Sequence, residues 1–214
     1  MRYQAVVLVA LLTGPASAQD AMSALGRAED TYGRLETLQA EFTQTIVNPM
    51  LGGPEVTQGP LYLAPPSRFA MRFSEPEGDR IVADGAWLWA YTPSSIPDQV
   101  IKQPIPNRGA ATPNLLSQFV IHPLEHYRAS YVGTDSLQGE LVDVVSLTPR
   151  RDDVPFRAAE IAIARSTGLL LRLMVREQSG QRRTLVFERV RTGLQIAESE
   201  LSFAVPAGVR VVTP

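Results

Sequence analysis

Cysteine is absent from all 214 residues of the chain. A chain without thiols forms no disulfide, no iron–sulfur cluster and no Cys-ligated zinc site, and it cannot carry a lipid on cysteine. Thiol catalysis is excluded for the same reason. Histidine is scarce as well, with two residues in the whole chain. The side chains that most nucleophilic and metal-dependent reactions require are therefore few or missing.

Neither sign of charge is in large excess. The 20 basic residues face 22 acidic ones, which gives a net charge of −2. Nucleic acid is not expected as a partner, because binding to phosphates needs a basic excess. Hydrophobic residues make up 44% and charged residues 20% of the chain, proportions that are typical of a globular protein.

The first 20 residues have the pattern of a secretory signal. Arg2 precedes an apolar segment at 5–12, a Gly-Pro pair interrupts it, and small residues at 16–18 form a cleavage site. Such a segment is too short to span a bilayer, which takes about 20 residues. We therefore predict a cleaved export signal at 1–18 and a single soluble domain at 19–214, outside the cytoplasm.

Apolar residues recur with two different periods along the rest of the chain. From Asp20 to Leu38 they recur every three or four residues, which predicts an amphipathic helix. Beyond it the period becomes two, which predicts β-strands separated by turns. In the second half we expect strands at 127–133, 140–147, 158–165, 169–176, 183–191 and 200–205. About ten strands with few helices indicate a mainly β protein built on one strongly curved antiparallel sheet, an open or closed barrel.

Large apolar side chains occupy alternate positions in two of the predicted strands. They are Phe69, Met71 and Phe73 in the first strand, and Trp87, Trp89 and Tyr91 in the second. The second strand follows Asp84-Gly85, a dipeptide typical of tight hairpins. We predict that all six side chains line one concave face of the sheet. They form either an ordinary core or the wall of a cavity for an apolar ligand, since both need the same residue types.

Catalytic motifs give little support to an enzyme. The sequence contains neither G-x-S-x-G nor a phosphate-binding glycine loop. His122-Pro123-Leu124-Glu125-His126 matches the H-x-x-E-H pattern of some zinc peptidases. Such a site needs both histidines on one face of a stable helix and a third ligand, whereas the chain after His126 resembles a strand. A structural turn is the simpler interpretation, and we predict no metal, no cofactor and no enzymatic activity.

Arginine is frequent in the predicted strands between 169 and 191. The residues are Arg172, Arg176, Arg182, Arg183, Arg189 and Arg191. Glu177 and Glu188 dilute their charge, so we interpret them as a solvated sheet face. A docking surface for an acidic partner is the alternative interpretation.

Short motifs, each weak alone, follow one another in order along the chain. They are Phe42-Thr43-Gln44, Gly59-Pro60-Leu61-Tyr62-Leu63, Pro66, Phe69, Ile81-Val82-Ala83-Asp84-Gly85, Leu88-Trp89 and Tyr91, and near the end Leu201-Ser202-Phe203, Pro206 and Gly208-Val209. In this order, and with the export signal before them, they resemble the periplasmic outer-membrane lipoprotein carrier family, LolA. The resemblance covers residues 20–212.

The resemblance implies a fold, a function and partners. The fold would be an incomplete antiparallel β-barrel whose apolar cavity is capped by a helical lid. Such a carrier would be a periplasmic chaperone that accepts acylated lipoproteins from an inner-membrane ABC transporter, LolCDE, and delivers them to the outer-membrane acceptor LolB. We expect a monomer that is not embedded in a membrane. The absence of cysteine argues against LolB itself, which is lipid-anchored.

The resemblance also gives roles to side chains. The six large apolar residues of the concave wall would bind acyl chains, and Leu115, Leu116 and Phe119 would close over them as the lid. Pro65 stands where the family commonly has an arginine that latches the lid, and Met71 where many relatives have tryptophan. Proline cannot donate a hydrogen bond, so the latch of this chain must differ. A periplasmic sensor of lipids or lipoproteins on the same scaffold is the alternative function.

Overall fold

A computed structural model of the chain describes residues 16–50, 53–105 and 116–213. Residues 1–15 of the predicted signal and Leu115 of the predicted lid lie outside these ranges. The described helices are α1 (Ala16–Gly33), α2 (Ser117–Val120) and α3 (Pro123–His126), with one 3₁₀ turn at Glu198–Glu200. The described strands are β1 (Leu38–Val47), β2 (Pro54–Ala64), β3 (Arg68–Arg72), β4 (Arg80–Asp84), β5 (Trp87–Tyr91), β6 (Gln99–Pro104), β7 (Tyr127–Leu137), β8 (Glu140–Pro149), β9 (Phe156–Ala164), β10 (Leu170–Glu177), β11 (Arg182–Thr192) and β12 (Arg210–Val212).

All twelve of these strands belong to one sheet. Their order is β12-β6-β5-β4-β3-β2-β1-β11-β10-β9-β8-β7, and neighbours are antiparallel except β12 and β6, which are parallel. Phe69 of β3 and Ile161 of β9 share one hydrophobic core although they lie far apart in this order. The sheet is curved, and this core lies on its concave face. Within the described ranges its end strands do not pair with each other, so the predicted open barrel is confirmed.

Helix α1 packs on the concave face of the curved sheet, against β7, β8 and β9. Its side chains Ala21, Ala24, Leu25, Ala28 and Tyr32 recur every three or four residues, and all are at most 5% exposed. The strand that follows alternates as a half-buried strand should, with Leu38, Ala40 and Phe42 buried in the same core. The change of period near residue 38 thus marks the end of the helical segment and the start of the first strand.

The strand predicted at 200–205 is wrong. Residues 202–206 are irregular, and Leu201 and Phe203 pack against the convex face by their side chains rather than pairing by their backbones. The closing strand is β12, which lies beside β6 in parallel. The apolar residues Leu201 and Phe203 alternate because their side chains pack onto the sheet, although this segment is not one of its strands.

Candidate functional site

An apolar wall runs along the concave face of β2, β3 and β4. Leu61 lies opposite Met71, and Leu63 lies opposite Phe69, which in turn lies opposite Ala83. All five side chains are at most 4% exposed and belong to the same main core as the buried side chains of α1. Phe73 is half-buried at the edge of the same core, 5.2 Å from the ring of Phe42. Three of the six predicted wall residues, Phe69, Met71 and Phe73, therefore lie on the concave face.

The other three predicted wall residues lie on the opposite face, and the prediction that all six share one wall is wrong. Trp89 lies opposite Val82, which packs with Ala70 in a separate cluster on the convex side. Trp87 and Tyr91 are on the same side of β5 as Trp89. The concave position of β5 is taken by Leu88, which lies opposite Ala83 and borders the main core.

The parity of the hairpin explains the error. Ala83 and Leu88 face each other across the turn at Asp84-Gly85, and they are five residues apart. Because this separation is odd, odd-numbered residues of β4 share a face with even-numbered residues of β5. A two-residue turn at Asp84-Gly85, as the sequence predicts, would pair residues that are three positions apart. This separation is also odd, so it assigns the same residues to each face. The size of Trp87 and Trp89 suggested that they line the cavity wall. The odd separation across the turn, however, places them on the opposite face from the odd-numbered residues of β4.

The tryptophans instead belong to a cluster that fixes the turn and the C-terminal segment. The Asp84 carboxylate accepts hydrogen bonds from the backbone N–H of Ala86 and Trp87 and, at 2.7 Å, from the indole N–H of Trp89. Burial alone would raise the pKa of Asp84, but these hydrogen bonds outweigh it and hold that pKa below its usual value. The ring of Phe203 lies 5.3 Å from that of Trp89.

Two ion pairs clamp the same C-terminal segment onto the convex face. Arg68 lies 2.5 Å from Glu198, and Arg72 lies 2.8 Å from Glu200. Both arginines alternate with Phe69 and Met71 along β3, so this strand serves two surfaces. Its apolar side chains form part of the concave wall, and its arginines bind the C-terminal segment on the convex face.

The short helix α2 closes over one end of the concave face. Leu116 and Phe119 are 2% and 1% exposed in the main core. The Phe119 ring stacks on Tyr127 at 5.8 Å and contacts Phe156 at 5.7 Å, and burial raises the pKa of Tyr127 to about 12. These positions suit the predicted lid.

His122 connects this cover to α1. It has a left-handed backbone, with φ of 47°, and caps the N-terminus of α3. Its Nδ1 lies 2.6 Å from the Glu29 carboxylate of α1, and its backbone N–H donates to the same oxygen. The H-x-x-E-H segment is therefore a turn that ties helices together. Within the described ranges, no group of three or more histidine, aspartate or glutamate side chains could hold a metal ion.

A buried carboxylate anchors α1 to the sheet. Asp143 of β8, which is 5% exposed, is paired with Arg27 of α1 and with Arg165, which follows β9, and it accepts a hydrogen bond from the Tyr131 hydroxyl. Burial alone would raise the pKa of Asp143. The hydrogen bonds from Arg165 and Tyr131 and the charges of Arg165 and Arg27 outweigh this effect, so the pKa lies below its usual value.

None of the described helices has the length and hydrophobicity needed to cross a membrane. A family model described as "Outer membrane lipoprotein carrier protein LolA" matches residues 33–204. An outer-membrane lipoprotein carrier protein of Chromobacterium violaceum is 28% identical over 210 residues, covering 98% of this chain and 95% of the relative. A protein of the same name from Pseudomonas aeruginosa strain UCBPP-PA14 is 27% identical over 214 residues, covering 99% of each.

Solved structures are similar in fold at lower identity. An uncharacterized conserved protein from Thermus thermophilus matches with a TM-score of 0.58 and 16% identity, covering 92% of this chain and 100% of that one. A chain of the Pseudomonas aeruginosa MucA/MucB complex matches with a TM-score of 0.51 and 20% identity, covering 92% of this chain and 64% of that one.

Proposed function

Because this chain belongs to the family of outer-membrane lipoprotein carrier proteins, LolA, we propose that it carries lipoproteins by sheltering their acyl chains against its concave wall. The observation that carries the proposal is the continuous apolar face from β3 to β9, which shares one core with α1 and α2 and, within the described ranges, meets no second sheet. Helices of this kind can lift from a sheet without breaking its ladder of hydrogen bonds. We assign the chain no catalytic step.

The transfer free energy of hydrocarbon dictates how such a carrier works. Each CH₂ removed from water contributes about 0.8 kcal/mol, so one long acyl chain resists entry into water by about 10 kcal/mol. Several chains on one lipoprotein cannot be released into the periplasm. The carrier must receive them directly from a membrane transporter of the LolCDE type and pass them directly to an acceptor of the LolB type.

Within this proposal, the acyl chains contact Phe69, Met71 and Phe73, together with Leu61 and Leu63. Leu116 and Phe119, with Leu115 before them, are the lid that closes when no cargo is bound. Trp87, Trp89 and Tyr91 have no direct role in binding, since they lie on the convex face.

Site-specific photocrosslinking tests the placement of cargo. Phe73 and Tyr62 are both half-buried aromatic residues, but they lie on the concave and convex faces respectively. We expect p-benzoylphenylalanine at position 73 to crosslink an acylated lipoprotein, and the same group at position 62 to give none. Equal crosslinking at both positions would contradict binding to the concave wall.

An extraction assay tests the activity itself. Membranes that contain the transporter and a labelled lipoprotein are incubated with the purified chain, and the label is then followed into the supernatant and on to acceptor membranes. A carrier releases its cargo to the acceptor, whereas a sensor on the same scaffold would bind the lipoprotein without delivering it. Failure to extract any label would refute the proposed function.

A further inference from the structure

Four polar side chains form a band across the concave face of adjacent strands. They are Thr57 of β2, Gln44 of β1, Arg183 of β11 and Glu177 of β10, and we call them the polar band. The Gln44 side-chain amide donates to the Thr57 hydroxyl at 3.0 Å and accepts from the Arg183 guanidinium at 3.2 Å. Arg183 also lies 3.5 Å from the Glu177 carboxylate. Gln44 and Thr57 are each 6% exposed.

The polar band marks a boundary on the inner wall. Along β1 the inward side chains are Leu38, Ala40 and Phe42, and the next one is Gln44. Across the sheet Gln44 lies opposite Leu185 of the main core on one side and opposite Thr57 on the other. The wall therefore changes from buried hydrocarbon to a hydrogen-bonding side chain at Gln44, and the next inward residue, Ile46, is half-buried opposite Arg183 of the band.

The band lies at the end of the sheet that α2 covers. Glu177 lies opposite Phe156 in the pairing of β10 with β9, and Phe156 contacts Phe119 of α2. A lid that lifts at Phe119 would open the concave face beside the band. An amphiphile entering there with its chains inward would bring its polar end to the band.

The groups of the band suit a neutral ligand that accepts hydrogen bonds. Thr57 accepts from Gln44 and thus keeps its own hydroxyl hydrogen, for which the described residues provide no acceptor. The Arg183 side chain is 36% exposed and has donors beyond the one used by Gln44. Glu177 offsets its positive charge, which disfavours a phosphate and favours uncharged carbonyl oxygens.

We propose that the polar band binds the ester and amide carbonyls at which the acyl chains join the N-terminal residue of a lipoprotein. The inference rests on the proposed carrier function, and it specifies which part of the cargo the protein recognises by hydrogen bonds. The hydrocarbon wall holds any acyl chain, while the band fixes the depth at which the chains stop and the peptide begins.

A matched pair of probes tests this assignment. One is a fluorescent triacylated lipopeptide, and the other is the same molecule with its two glyceryl esters replaced by ethers. We expect the chain purified from the periplasm to bind the ester probe about tenfold more tightly than the ether probe. The variants Thr57→Val and Arg183→Gln should lose this preference by weakening only the binding of the ester. Arg182→Gln, which removes the same charge from the exposed neighbouring position, should keep it.

The outcomes separate the two proposals. If the unmodified chain binds neither probe, the carrier function fails and this inference fails with it. If it binds both probes equally, or if the variants weaken both equally, the chain is still a carrier but the band is not a carbonyl site. A diacyl phosphatidylglycerol shares the esters, so its competition at concentrations similar to the lipopeptide would overturn the assignment to a lipoprotein.

Discussion

At the scale of single residues, one glycine shows how closely the sheet is packed at its inner wall. A Cβ on Gly59 would lie 1.9 Å from the backbone carbonyl oxygen of Arg72. No flexible side chain can move away to relieve this contact, because the oxygen belongs to the backbone at the end of β3. Glycine is required here by the close approach of two backbones.

We expect Gly59→Ala to destabilise the protein by at least about 2 kcal/mol, since backbone must shift to admit a methyl group. Gly26 provides the opposite case, because it is exposed in α1 and, outside the backbone of its own helix, no described atom lies within 4 Å of an added Cβ. Gly26→Ala should stabilise by about 0.5–1 kcal/mol. Urea denaturation measures both, and equal effects of the two substitutions would contradict the argument.

At the scale of elements, the Asp143 carboxylate joins α1 to β8. The network includes Arg27 from the helix and Arg165 from the turn that follows β9, so it resists removal of the helix from the concave face. An ionised carboxylate with several donors is stabilised relative to the unfolded chain, in which it is hydrated. This anchor is separate from the position of the family's latch arginine, because none of its side chains comes from Pro65 or from the residues beside it.

Asp143→Asn should lower the free energy of unfolding at pH 7 by about 1–3 kcal/mol. Since the folded pKa of Asp143 lies below the unfolded one, the ionised group stabilises the fold above about pH 4, and this contribution is lost as the pH falls through the folded value. The two proteins should therefore converge at low pH in urea titrations. Asp153→Asn, in an exposed pair with Arg151, should have no measurable effect.

The C-terminal segment is a second element whose packing can be tested. Both tryptophans of the chain lie in the convex cluster that Phe203 covers. We expect Phe203→Ala to expose them, to shift their fluorescence to longer wavelength and to cost about 2 kcal/mol of stability. Phe119→Ala, on the concave side, should destabilise without shifting the native emission. A shift in both variants would show that the tryptophans face the cargo side.

At the scale of the whole molecule, one sheet presents two faces with different covers. The concave face meets α1 and α2, while the convex face between β3 and β6 meets the C-terminal segment. The covers differ in stability, because α2 and α3 have four residues each, and a single helical turn has little stability of its own. Opening is therefore expected at α2 and α3 before α1.

Hydrogen exchange measures this difference directly. We expect amides of 116–126 to exchange faster than those of α1 in the empty protein, because short helices open locally at small cost. Binding of a triacylated lipopeptide should change exchange in 116–126 and leave the C-terminal segment at 198–206, on the convex face, unchanged. Changes confined to that segment would contradict a lid at α2.

The sequence predicted many elements because their signals are local. The helix before residue 38 has the expected period, and β8, β9, β10 and β11 lie close to the predicted ranges. The concave placement of Phe69 and Met71 followed from alternation and from packing under a helix. The placement of the tryptophans failed, because alternation says which residues share a side of one strand but not which side meets the core.

The amino-acid sequence by itself thus determined the mainly β composition, the curved antiparallel sheet, the amphipathic helix and the resemblance to lipoprotein carriers, which implied that the sheet is open. The tertiary structure decided which face of each strand is concave, where the C-terminal segment packs, and that Arg183 turns inward while Arg182 stays outside. Periods of two and of three or four are set by backbone geometry along the chain. The assignment of faces depends on strand register and sheet curvature, which arise from contacts between residues far apart in sequence.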